Sequence, residues 1–527
     1  MPKAPKKAQR SHRMDRPAEA ASRPERIPPL VKLLLACAVA IGVFAWIRIS
    51  SPTPWSFDEF YHLGLSREMR SDFFMDTFRW TPFSILYERF VDSSPLFHLL
   101  LMPFATLPVE TAGLIGVLLG QLFVVGAFAA SLWLLRVPRP WWFVLALPAL
   151  GTMFAFRMEM CRPQIWLVGF SVLVLALLVS RRWKALFAVT ALFTLTHTAG
   201  WIAIAFAGLW LALGYFYRNG AGEEARFPWH PVAATAGGWL LGQLIHPQVP
   251  DNFRLFFISN FVIPFQATGA GNKALQSQLG TELSPLEPAQ LLEQWPAFIP
   301  PLIVAFALVF QPRLRNRTTL TVGIFALAFL LAGAFFARRF FELGAPLSLF
   351  ALALVLRERR GQGLAPIMPR WGLKFAAALI FLGTLWTVAS LRFYQQQGGF
   401  AEPPRAMAQW LGENGQPGER VFTAQWADSS PLFYYAPQLQ SLVALDPTVF
   451  YAKDPRLFQT YVNIVQGRHA DPARAIRERF GARWVTLWRL PAYRTFGARL
   501  AKSPGVTIPY QDKDYSVLDL GPVTRTP

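Results

Sequence analysis

Charged residues are scarce in this sequence. Of 527 residues, only 16% are charged, whereas a soluble chain of this size usually carries about a quarter. Apolar residues fill the difference, since 53% of the chain is hydrophobic and 15% is aromatic. The scarcity of charge excludes an ordinary soluble protein and predicts a chain that lies in a membrane.

Cysteine and the common nucleotide and hydrolase motifs are nearly missing as well. Cys37 and Cys161 are the two cysteines, and both lie within or at the edge of an apolar run. They support neither a disulfide framework nor a paired-cysteine metal site. No GxGxxG, Walker, GxSxG or HExxH motif occurs in a credible context, so the sequence predicts no nucleotide cofactor.

The net charge of +20 is large, but its distribution does not suit a nucleic-acid-binding protein. Basic residues fall in short clusters between apolar runs rather than along one soluble face. Such clusters are typical of the cytoplasmic ends of membrane spans. The charge therefore predicts contact with membrane lipids and no nucleic-acid partner.

Apolar runs divide the chain into about eleven predicted membrane crossings. With the N-terminus in the cytoplasm, the basic clusters at 136–139, 181–184, 313–317 and 357–374 all fall in cytoplasmic loops. The stretch 185–217 is divided at Thr198–Gly200, because basic residues at both of its ends favour the cytoplasm. The predicted spans are 30–49, 111–135, 140–156, 163–180, 185–197, 199–217, 231–246, 296–311, 318–336, 343–356 and 371–390.

This topology divides the chain into three parts. Residues 1–28 form a disordered basic cytoplasmic tail, and residues 29–394 form a polytopic membrane domain with long outer loops at 50–110 and 247–295. Residues 395–527 alternate charged helices with short apolar strands and predict a small α/β domain. The expected fold class is a multi-pass α-helical membrane protein with a C-terminal extracytoplasmic α/β domain.

The predicted first outer loop contains a short group of ionisable residues, in the stretch FDEFYH. On a helix, Asp58 and His62 lie one turn apart on the same face, with Glu59 beside them. Such a group could bind a divalent metal or act as a general base on an incoming hydroxyl or amide. A solvated amphipathic helix with its acids facing water explains the same residues, because short runs of this kind are common.

Four arginines lie at the predicted outer boundary, against the trend that places most basic residues inside. They are Arg157 and Arg162, which flank Glu159, and Arg338 and Arg339, which precede Glu342. Charges at this depth are costly unless they are paired or functional. A lipid phosphate suits the geometry of the guanidinium group, and an Arg–Glu pair that closes a helix junction is the alternative.

Several of these segments resemble motifs of the C-type membrane glycosyltransferases, polytopic enzymes that use polyprenyl-phosphate-linked sugars on the outer face. FDEFYH resembles the acidic pair of the first outer loop, and SSPLFHLLLMPFATLP resembles the juxtamembrane helix that closes it. MEMCRPQIW resembles the second acidic motif, and ARRFFELGAP a late arginine motif. The segment 421–455, which begins VFTAQWAD and ends DPTVFYAKDP, resembles the start of the soluble domain in oligosaccharyltransferase catalytic subunits, where a Trp–Asp motif helps to hold the acceptor.

The resemblance implies a role for each site residue. Asp58 is the expected catalytic acid with Glu59 in support, and Glu159 is the second acidic residue. Trp426 and Asp428 are the expected acceptor contacts. The donor phosphate is expected at four arginines, namely Arg338, Arg339, Arg157 and Arg162.

The resemblance also implies the partners. They are a polyprenyl-phosphate-linked sugar donor and a lipid, glycan or protein acceptor, in the inner membrane of a bacterium with the C-terminal domain in the periplasm. A divalent cation, Mg²⁺ or Mn²⁺, is an optional cofactor, with Asp58, His62 and Glu159 as candidate ligands. The alternative is a non-catalytic polytopic protein, either a lipid-linked-glycan transporter or an envelope assembly factor.

Two departures from the family pattern affect which glycosyl-transfer reaction is expected. Oligosaccharyltransferases carry two adjacent tryptophans before the Asp, whereas this chain has Trp426-Ala427-Asp428-Ser429. The second acidic motif offers a single Glu159 in place of an acidic pair. Both changes weaken the case for peptide glycosylation and leave glycosyl transfer in general as the expectation.

One hexapeptide, Asp-Ser-Ser-Pro-Leu-Phe, occurs twice, at 92–97 and at 428–433. Asp or Ser can accept hydrogen bonds from the free N–H groups of a first helical turn, and Pro fits at the first helical position. No similarity extends beyond the six residues. The sequence therefore predicts one helix-start device used twice on the outer side, and not a duplicated domain.

Overall fold

The computed structural model describes residues 27–51, 55–216, 229–268, 273–364, 370–396, 404–443 and 445–523. The predicted tail at 1–28 therefore lies almost wholly outside the described residues. Up to residue 216 the described chain forms nine α-helices. They are α1 (Pro29–Ile49), α2 (Asp58–Glu68), α3 (Pro95–Leu101), α4 (Val109–Leu134), α5 (Trp141–Leu145), α6 (Thr152–Met158), α7 (Pro163–Val179), α8 (Trp183–Thr196) and α9 (Ile202–Phe216).

The second half of the helical region contains nine further α-helices among the described residues between 230 and 396. They are α10 (His230–Leu244), α11 (Asp251–Phe257), α12 (Ile263–Thr268), α13 (Lys273–Gln278), α14 (Pro288–Glu293), α15 (Trp295–Phe310), α16 (Arg317–Phe335), α17 (Phe341–Gly361) and α18 (Arg370–Gln396). The central span is α17, which packs against α16, α15 and α7. By contrast, α18 exposes most of its apolar surface, as expected of a span that faces lipid.

The predicted count of about eleven spans is not confirmed. Among the described residues, six helices are long and apolar enough to cross a membrane, and α6 with α7 makes a seventh candidate that is bent by 110°. The predicted span 140–156 is instead broken into α5, a single turn and α6. Pro148 and Gly151, the latter with a φ of +100°, interrupt the helical hydrogen bonding there.

The division of 185–217 into two helices agrees with the structure. His197 between α8 and the following turn has extended backbone angles, φ −156° and ψ 137°. Its ring Nδ1 accepts a hydrogen bond from the Ala199 N–H at 3.0 Å, which caps the next turn. The break therefore comes from a capped change of direction rather than from a proline.

The C-terminal unit, residues 404–523, contains a five-stranded mixed sheet in the order β2-β1-β3-β5-β4. β1 is parallel to β2 and β3, whereas β5 is antiparallel to β3 and β4, with Val485 opposite Leu518. The strands are β1 (Arg420–Thr423), β2 (Gln440–Ser441), β3 (Trp484–Trp488), β4 (Thr507–Gln511) and β5 (Tyr515–Asp519), and the helices are α19 (Arg405–Asn414), α20 (Ser429–Tyr435), α21 (Thr448–Lys453), α22 (Pro455–Val465), α23 (Pro472–Ala475) and α24 (Arg494–Ala501).

β1, β3 and β5 coincide with apolar stretches of the sequence, whereas β2 and β4 do not. β4 is an edge strand whose residues are mostly exposed, and it contains Pro509. Proline is tolerated at a sheet edge because no neighbouring strand needs its N–H. This exposed edge strand therefore lacks the run of buried residues that β1, β3 and β5 each contain.

Helix α2 is buried on nearly all sides, although it carries two acids. On one side, Phe60 packs with Phe97 of α3 and with residues of α4. On the other side, α20 of the C-terminal unit approaches so closely that a Cβ at Gly64 would lie 2.9 Å from the Phe433 ring. The expected solvated amphipathic helix is therefore wrong, because the C-terminal unit covers the face that would meet water.

The second residue of α2, Glu59, forms a buried ion pair with the last turn of α1. Arg48 Nη2 lies 2.8 Å from Glu59 Oε1, and both side chains are almost wholly excluded from solvent. Glycine in α4 makes room for this carboxylate, since a Cβ at Gly113 would overlap Glu59 Oε1. The ion pair therefore holds α1 and α2 together at the point where Glu59 packs against α4.

Both copies of the hexapeptide start short helices, as predicted, and the structure packs both helices on α2. In the first copy, Pro95 is the first residue of α3 and the Asp92 carboxylate accepts a hydrogen bond from the Ser94 N–H at 2.9 Å. In the second copy, α20 begins at Ser429 and Asp428 forms no side-chain cap. No N-cap side chain bonds the first helical turn in either copy, and only the first copy has its proline at the first helical position, so the prediction of one capping device used twice is wrong.

The helices indicate which loops share a side of the membrane. α4 and α17 both begin beside α2 and the acidic cluster, so the basic ends of both helices, at 136–139 and 357–360, lie at the opposite end. We expect reporter fusions after residues 225 and 360 to report cytoplasm and a fusion after residue 450 to report the outer side. A cytoplasmic signal at 450 would contradict the outer placement of the C-terminal unit.

Substituting Gly113 tests the buried ion pair. We expect Gly113→Ala to lower stability by about 1–3 kcal/mol, the usual cost of overpacking, because the new methyl group displaces the Glu59 carboxylate. Gly126→Ala in the same helix is the matched control, since nothing lies within 4 Å of a Cβ there. Thermal unfolding in detergent measures both, and equal melting temperatures for the two variants would contradict the expectation.

Candidate active site

A cluster of opposite charges lies where the two outer loops meet the bend between α6 and α7. Asp58, the first residue of α2, forms an ion pair with Arg162. Glu282 binds both neighbouring arginines, at 3.1 Å from Arg162 Nη1 and 2.8 Å from Arg157 Nη1. Arg157 Nε in turn lies 3.7 Å from Glu342 at the start of α17. The predicted residues Asp58, Arg157 and Arg162 are thus brought together.

The electrostatics of the cluster follow from burial and from the arginines. Burial raises the pKa of Asp58, and the Arg162 charge opposes that rise. Burial alone would also raise the pKa of Glu282. The charges of Arg162, Arg157 and Arg339 outweigh this effect and hold that pKa well below its ordinary range. Glu282 is therefore a permanent anion that holds the two arginines, while Asp58 has the higher proton affinity of the two.

Glu159 lies apart from this cluster. It ends α6 at the bend, and its Oε2 accepts a hydrogen bond from Gln121 Nε2 at 3.3 Å. Its side chain is fully buried, and Oε1 has no hydrogen-bond partner among the described residues. A second acid is therefore present near the bend, but it contacts Gln121 on α4 rather than Asp58.

The two adjacent arginines before α17 have different surroundings. Arg338 donates to the Ser284 hydroxyl at 3.3 Å and to the Pro285 carbonyl at 3.1 Å, so it closes the junction between the second outer loop and α17. Arg339 is half-buried, and its charge reaches Glu282 and Glu342. Within the described part of the chain, the Arg339 side chain forms no hydrogen bond or ion pair. Arg339 is thus the better placed of the two for an external anion.

The expected acceptor residues also differ from each other. Asp428 is fully buried inside the C-terminal unit, where the Tyr515 hydroxyl donates to its Oδ1 at 3.0 Å. Burial raises the pKa of Asp428 to about 8, so this carboxyl group is largely protonated at neutral pH. Trp426 is half-buried, and a Cβ at Gly280 would be 4.0 Å from its Cζ2. Trp426 therefore contacts the loop that carries Glu282, since Gly280 is two residues from Glu282.

The three candidate metal ligands do not form a common binding site. Asp58 is paired with Arg162, His62 Nδ1 lies 2.7 Å from His98 Nε2, and Glu159 contacts Gln121. No group of three or more His, Cys, Asp or Glu side chains in the described ranges is arranged to hold a metal ion. A guanidinium group occupies the position beside Asp58 that a cation would need, so these residues do not fit a divalent metal.

Sequence reasoning gave no role in the chemistry to four residues of the site and its surroundings. Arg48 is a further basic residue at the outer end of a span, so the argument made for the other outer arginines would have found it. Asp92 and His98 lie six residues apart, a spacing that belongs to no common motif. Glu282 carries no signal in the sequence, since only folding of the second outer loop brings it to the arginines.

Sequence comparison identifies no relatives of this chain. No protein-family model matches the sequence, and no curated protein matches it either.

Structural comparison does find similar proteins. The oligosaccharyltransferase of Archaeoglobus fulgidus, tethered to an acceptor peptide, matches with a TM-score of 0.57 and 15% identity, over 86% of this chain and 69% of that one. Apo ArnT from Cupriavidus metallidurans matches with a TM-score of 0.54 and 17% identity, over 93% of this chain and 98% of that one. The arabinofuranosyltransferase AftD from Mycobacteria matches with a TM-score of 0.50 and 13% identity, over 94% of this chain and 40% of that one.

Two of the similar proteins also have structures with bound molecules. ArnT has been solved with undecaprenyl phosphate, and the Archaeoglobus fulgidus enzyme with zinc and sulfate. At 13–17% identity these similarities concern the fold. The chain has the fold of the C-type membrane glycosyltransferases, as its motifs predicted.

Proposed function

We propose that this protein is a membrane glycosyltransferase that moves a sugar or glycan from a polyprenyl-phosphate donor to an acceptor on the periplasmic face. The observation that carries the proposal is the buried cluster of Asp58, Arg162 and Glu282, with Arg339 beside it. It combines an acid of high proton affinity with a guanidinium group available for an anion. The fold shared with ArnT and the oligosaccharyltransferase supports this assignment.

The donor phosphate is the leaving group of this reaction. As the acceptor attacks the anomeric carbon, the bond from that carbon to the phosphate oxygen breaks, and polyprenyl phosphate leaves with the electron pair. Arg339 is suited to bind the phosphate because a guanidinium group matches two phosphate oxygens with parallel hydrogen bonds. Arg157 and Arg162, held by Glu282, add positive charge where negative charge develops.

Asp58 is suited to accept the proton that the nucleophile loses. It lies in the first turn of α2 at the junction of the outer loops, and burial raises its pKa. A carboxylate with raised proton affinity is a better general base at neutral pH than an exposed one. Glu59 supports it from the other side of the helix start, where Arg48 holds its charge.

The acceptor is proposed to enter beside the C-terminal unit. Trp426 and the stretch around Gly280 form an edge next to the charged cluster. The buried, hydrogen-bonded position of Asp428 suits a structural role in the unit, so the proposal keeps Trp426 and not Asp428 as the acceptor contact. Lipid, glycan and protein acceptors are all compatible with this edge.

Replacing Asp58 tests the reaction itself. We expect Asp58→Asn to reduce transfer from labelled polyprenyl-phosphate sugars in membranes by about 10²–10⁴-fold, since loss of a positioned general base typically costs that much. The shape of the side chain is kept, so expression and thermal unfolding should change little.

Asp72→Asn is the control for this experiment, because Asp72 is an exposed acid in the same outer loop. It should transfer sugar like the wild type. If the wild-type protein transfers no sugar from any polyprenyl-phosphate donor, the non-catalytic alternative replaces the proposal. If Asp58→Asn stays within a few-fold of the wild type, the base is another residue.

Exchanging Arg339 for lysine tests donor binding. A lysine keeps the charge but loses the bidentate geometry, so we expect Arg339→Lys to raise the KM for the donor about tenfold, the equivalent of one charge-assisted hydrogen bond. Arg338→Lys should raise it less, because the contacts of Arg338 are with Ser284 and Pro285. An unchanged donor KM in Arg339→Lys would assign the phosphate to other residues.

A further inference from the structure

Three buried side chains form a hydrogen-bonded line that ends beside the charged cluster. Asp92 lies 2.7 Å from Nδ1 of His98, and Nε2 of His98 lies 2.7 Å from Nδ1 of His62. All three residues are at most 1% exposed. The line connects the loop before α3 to the middle of α2.

The partners determine which nitrogen of each ring carries the proton. The Asp92 carboxylate accepts a hydrogen bond from the Ser94 N–H, and both of its oxygens lie close to Nδ1 of His98, at 2.7 and 2.8 Å. His98 therefore carries its proton on Nδ1 and presents a bare Nε2. That nitrogen accepts from the Nδ1–H of His62, which leaves the lone pair of His62 Nε2 directed away from the line.

His62 Nε2 is buried and has no hydrogen-bond partner among the described residues. A buried polar atom without a partner is costly, so its retention calls for an explanation. His62 and Asp58 stand one helical turn apart on the same face of α2, a separation of about 6 Å between Cβ atoms that one water molecule can bridge. The unpaired nitrogen therefore belongs to a residue on the same face of α2 as Asp58.

The charged and titratable groups around His62 come from four elements. His98 faces it from α3, Arg162 from the start of α7 and His197 from the end of α8, while Asp58 is on α2 itself. Burial lowers the pKa of His62 well below its ordinary value, and His98, Arg162 and His197 act in the same direction. The ring is therefore neutral at neutral pH, and its Nε2 lone pair is not engaged by another described residue.

We propose that His62, His98 and Asp92 form a proton relay that takes up the proton released by the acceptor at Asp58. This inference rests on the proposed function and assigns the destination of the proton in that reaction. His62 receives the proton, and His98 and Asp92 are positioning residues that act through it.

The transfer balances at every step. The O–H or N–H bond of the nucleophile breaks as Asp58 gains the proton, and Asp58 then returns to its charged form as His62 Nε2 gains it. At the same time the Nδ1–H bond of His62 breaks and an Nε2–H bond forms on His98. The positive charge ends on His98, where the Asp92 carboxylate compensates it at 2.7 Å.

The relay explains how the Asp58–Arg162 pair is restored after each reaction. A protonated Asp58 would leave Arg162 without one of its anions in a buried position, which is costly. Moving the proton to His98 returns the negative charge to Asp58 and places the positive charge beside Asp92. The line thus separates the proton from the donor site.

The second copy of the hexapeptide provides a contrast within the same chain. His98 follows the first copy directly, whereas Tyr434 stands at the same position after the second. Asp428 accordingly bonds to Tyr515 and has no histidine partner among the described residues. The second copy therefore starts a helix that packs on α2 without any Asp–His contact. The Asp92–His98 contact is thus not needed for the packing of the hexapeptide.

Histidine ¹⁵N spectra of the wild-type protein in bilayers test the relay without any assay of transfer. We expect His62 and His98 to carry their proton on Nδ1, assigned by the loss of each signal in His62→Gln and His98→Gln. His246 should carry it on Nε2, because that nitrogen faces the Asp92 carbonyl at 2.9 Å. A proton on Nε2 of His98 at neutral pH would overturn the relay, even if sugar transfer is confirmed.

Kinetics of three variants give the second test. His62→Gln can still donate to His98, yet it should lower kcat about 10²-fold with the donor KM unchanged. In Asp92→Asn the positive charge that the relay leaves on His98 lacks its compensating carboxylate, so the plateau of the pH–rate profile should fall. His246 contacts the main-chain carbonyl of the same Asp92 but is not part of the relay, so His246→Gln should leave the pH–rate profile and its plateau unchanged.

The outcomes separate the relay from the proposed function. Transfer that depends on Asp58 but proceeds at the wild-type rate in His62→Gln would overturn the relay alone. Absence of transfer in the wild type would overturn the proposed function, and the ¹⁵N spectra would then still decide the proton positions. If Asp92→Asn fails to unfold cooperatively, the kcat of His62→Gln and the spectra decide the question without it.

Discussion

Two consecutive carboxylates are buried at the start of α2, and the rest of the site depends on supplying each with its own arginine. Glu59 takes Arg48 from the end of α1, and Asp58 takes Arg162 from the bend before α7. A buried carboxylate without a partner would cost several kcal/mol, so the helix ends cannot move independently of α2. The bend between α6 and α7 meets this requirement for Asp58, since Arg162 lies at the bend and pairs with it.

The C-terminal unit contributes to the same constraint from the other side. Phe433 packs at Gly64, and Arg67 Nη2 donates to the Tyr434 carbonyl at 2.8 Å. Together these contacts remove α2 from water and raise the proton affinity of Asp58. Helix α2 therefore connects the proposed general base, Asp58, to the C-terminal unit that carries the proposed acceptor edge. The C-terminal unit thus contributes to the proposed chemistry through its contacts with α2.

The repeated hexapeptide shows how far a short sequence determines its role. Both copies start a helix that packs on α2, with Phe97 and Phe433 against it. The acids nevertheless differ, because Asp92 meets His98 whereas Asp428 meets Tyr515 from a distant strand. Helix initiation is local and follows from the six residues, but the partner of a buried carboxylate is supplied by whatever the fold brings there.

The sequence by itself determined the membrane character, three of the five strands, and the choice of Asp58, Arg157, Arg162 and Arg339 as site candidates, because hydrophobic length, short apolar runs and misplaced charge are local signals. Only the tertiary structure decided that Arg338 closes a junction, that Asp428 is buried, and that Glu282 and the histidine line belong to the candidate site. These contacts join residues that are far apart in the chain or unmarked by any motif. Pairing of buried charges depends on packing in three dimensions, which no local pattern records.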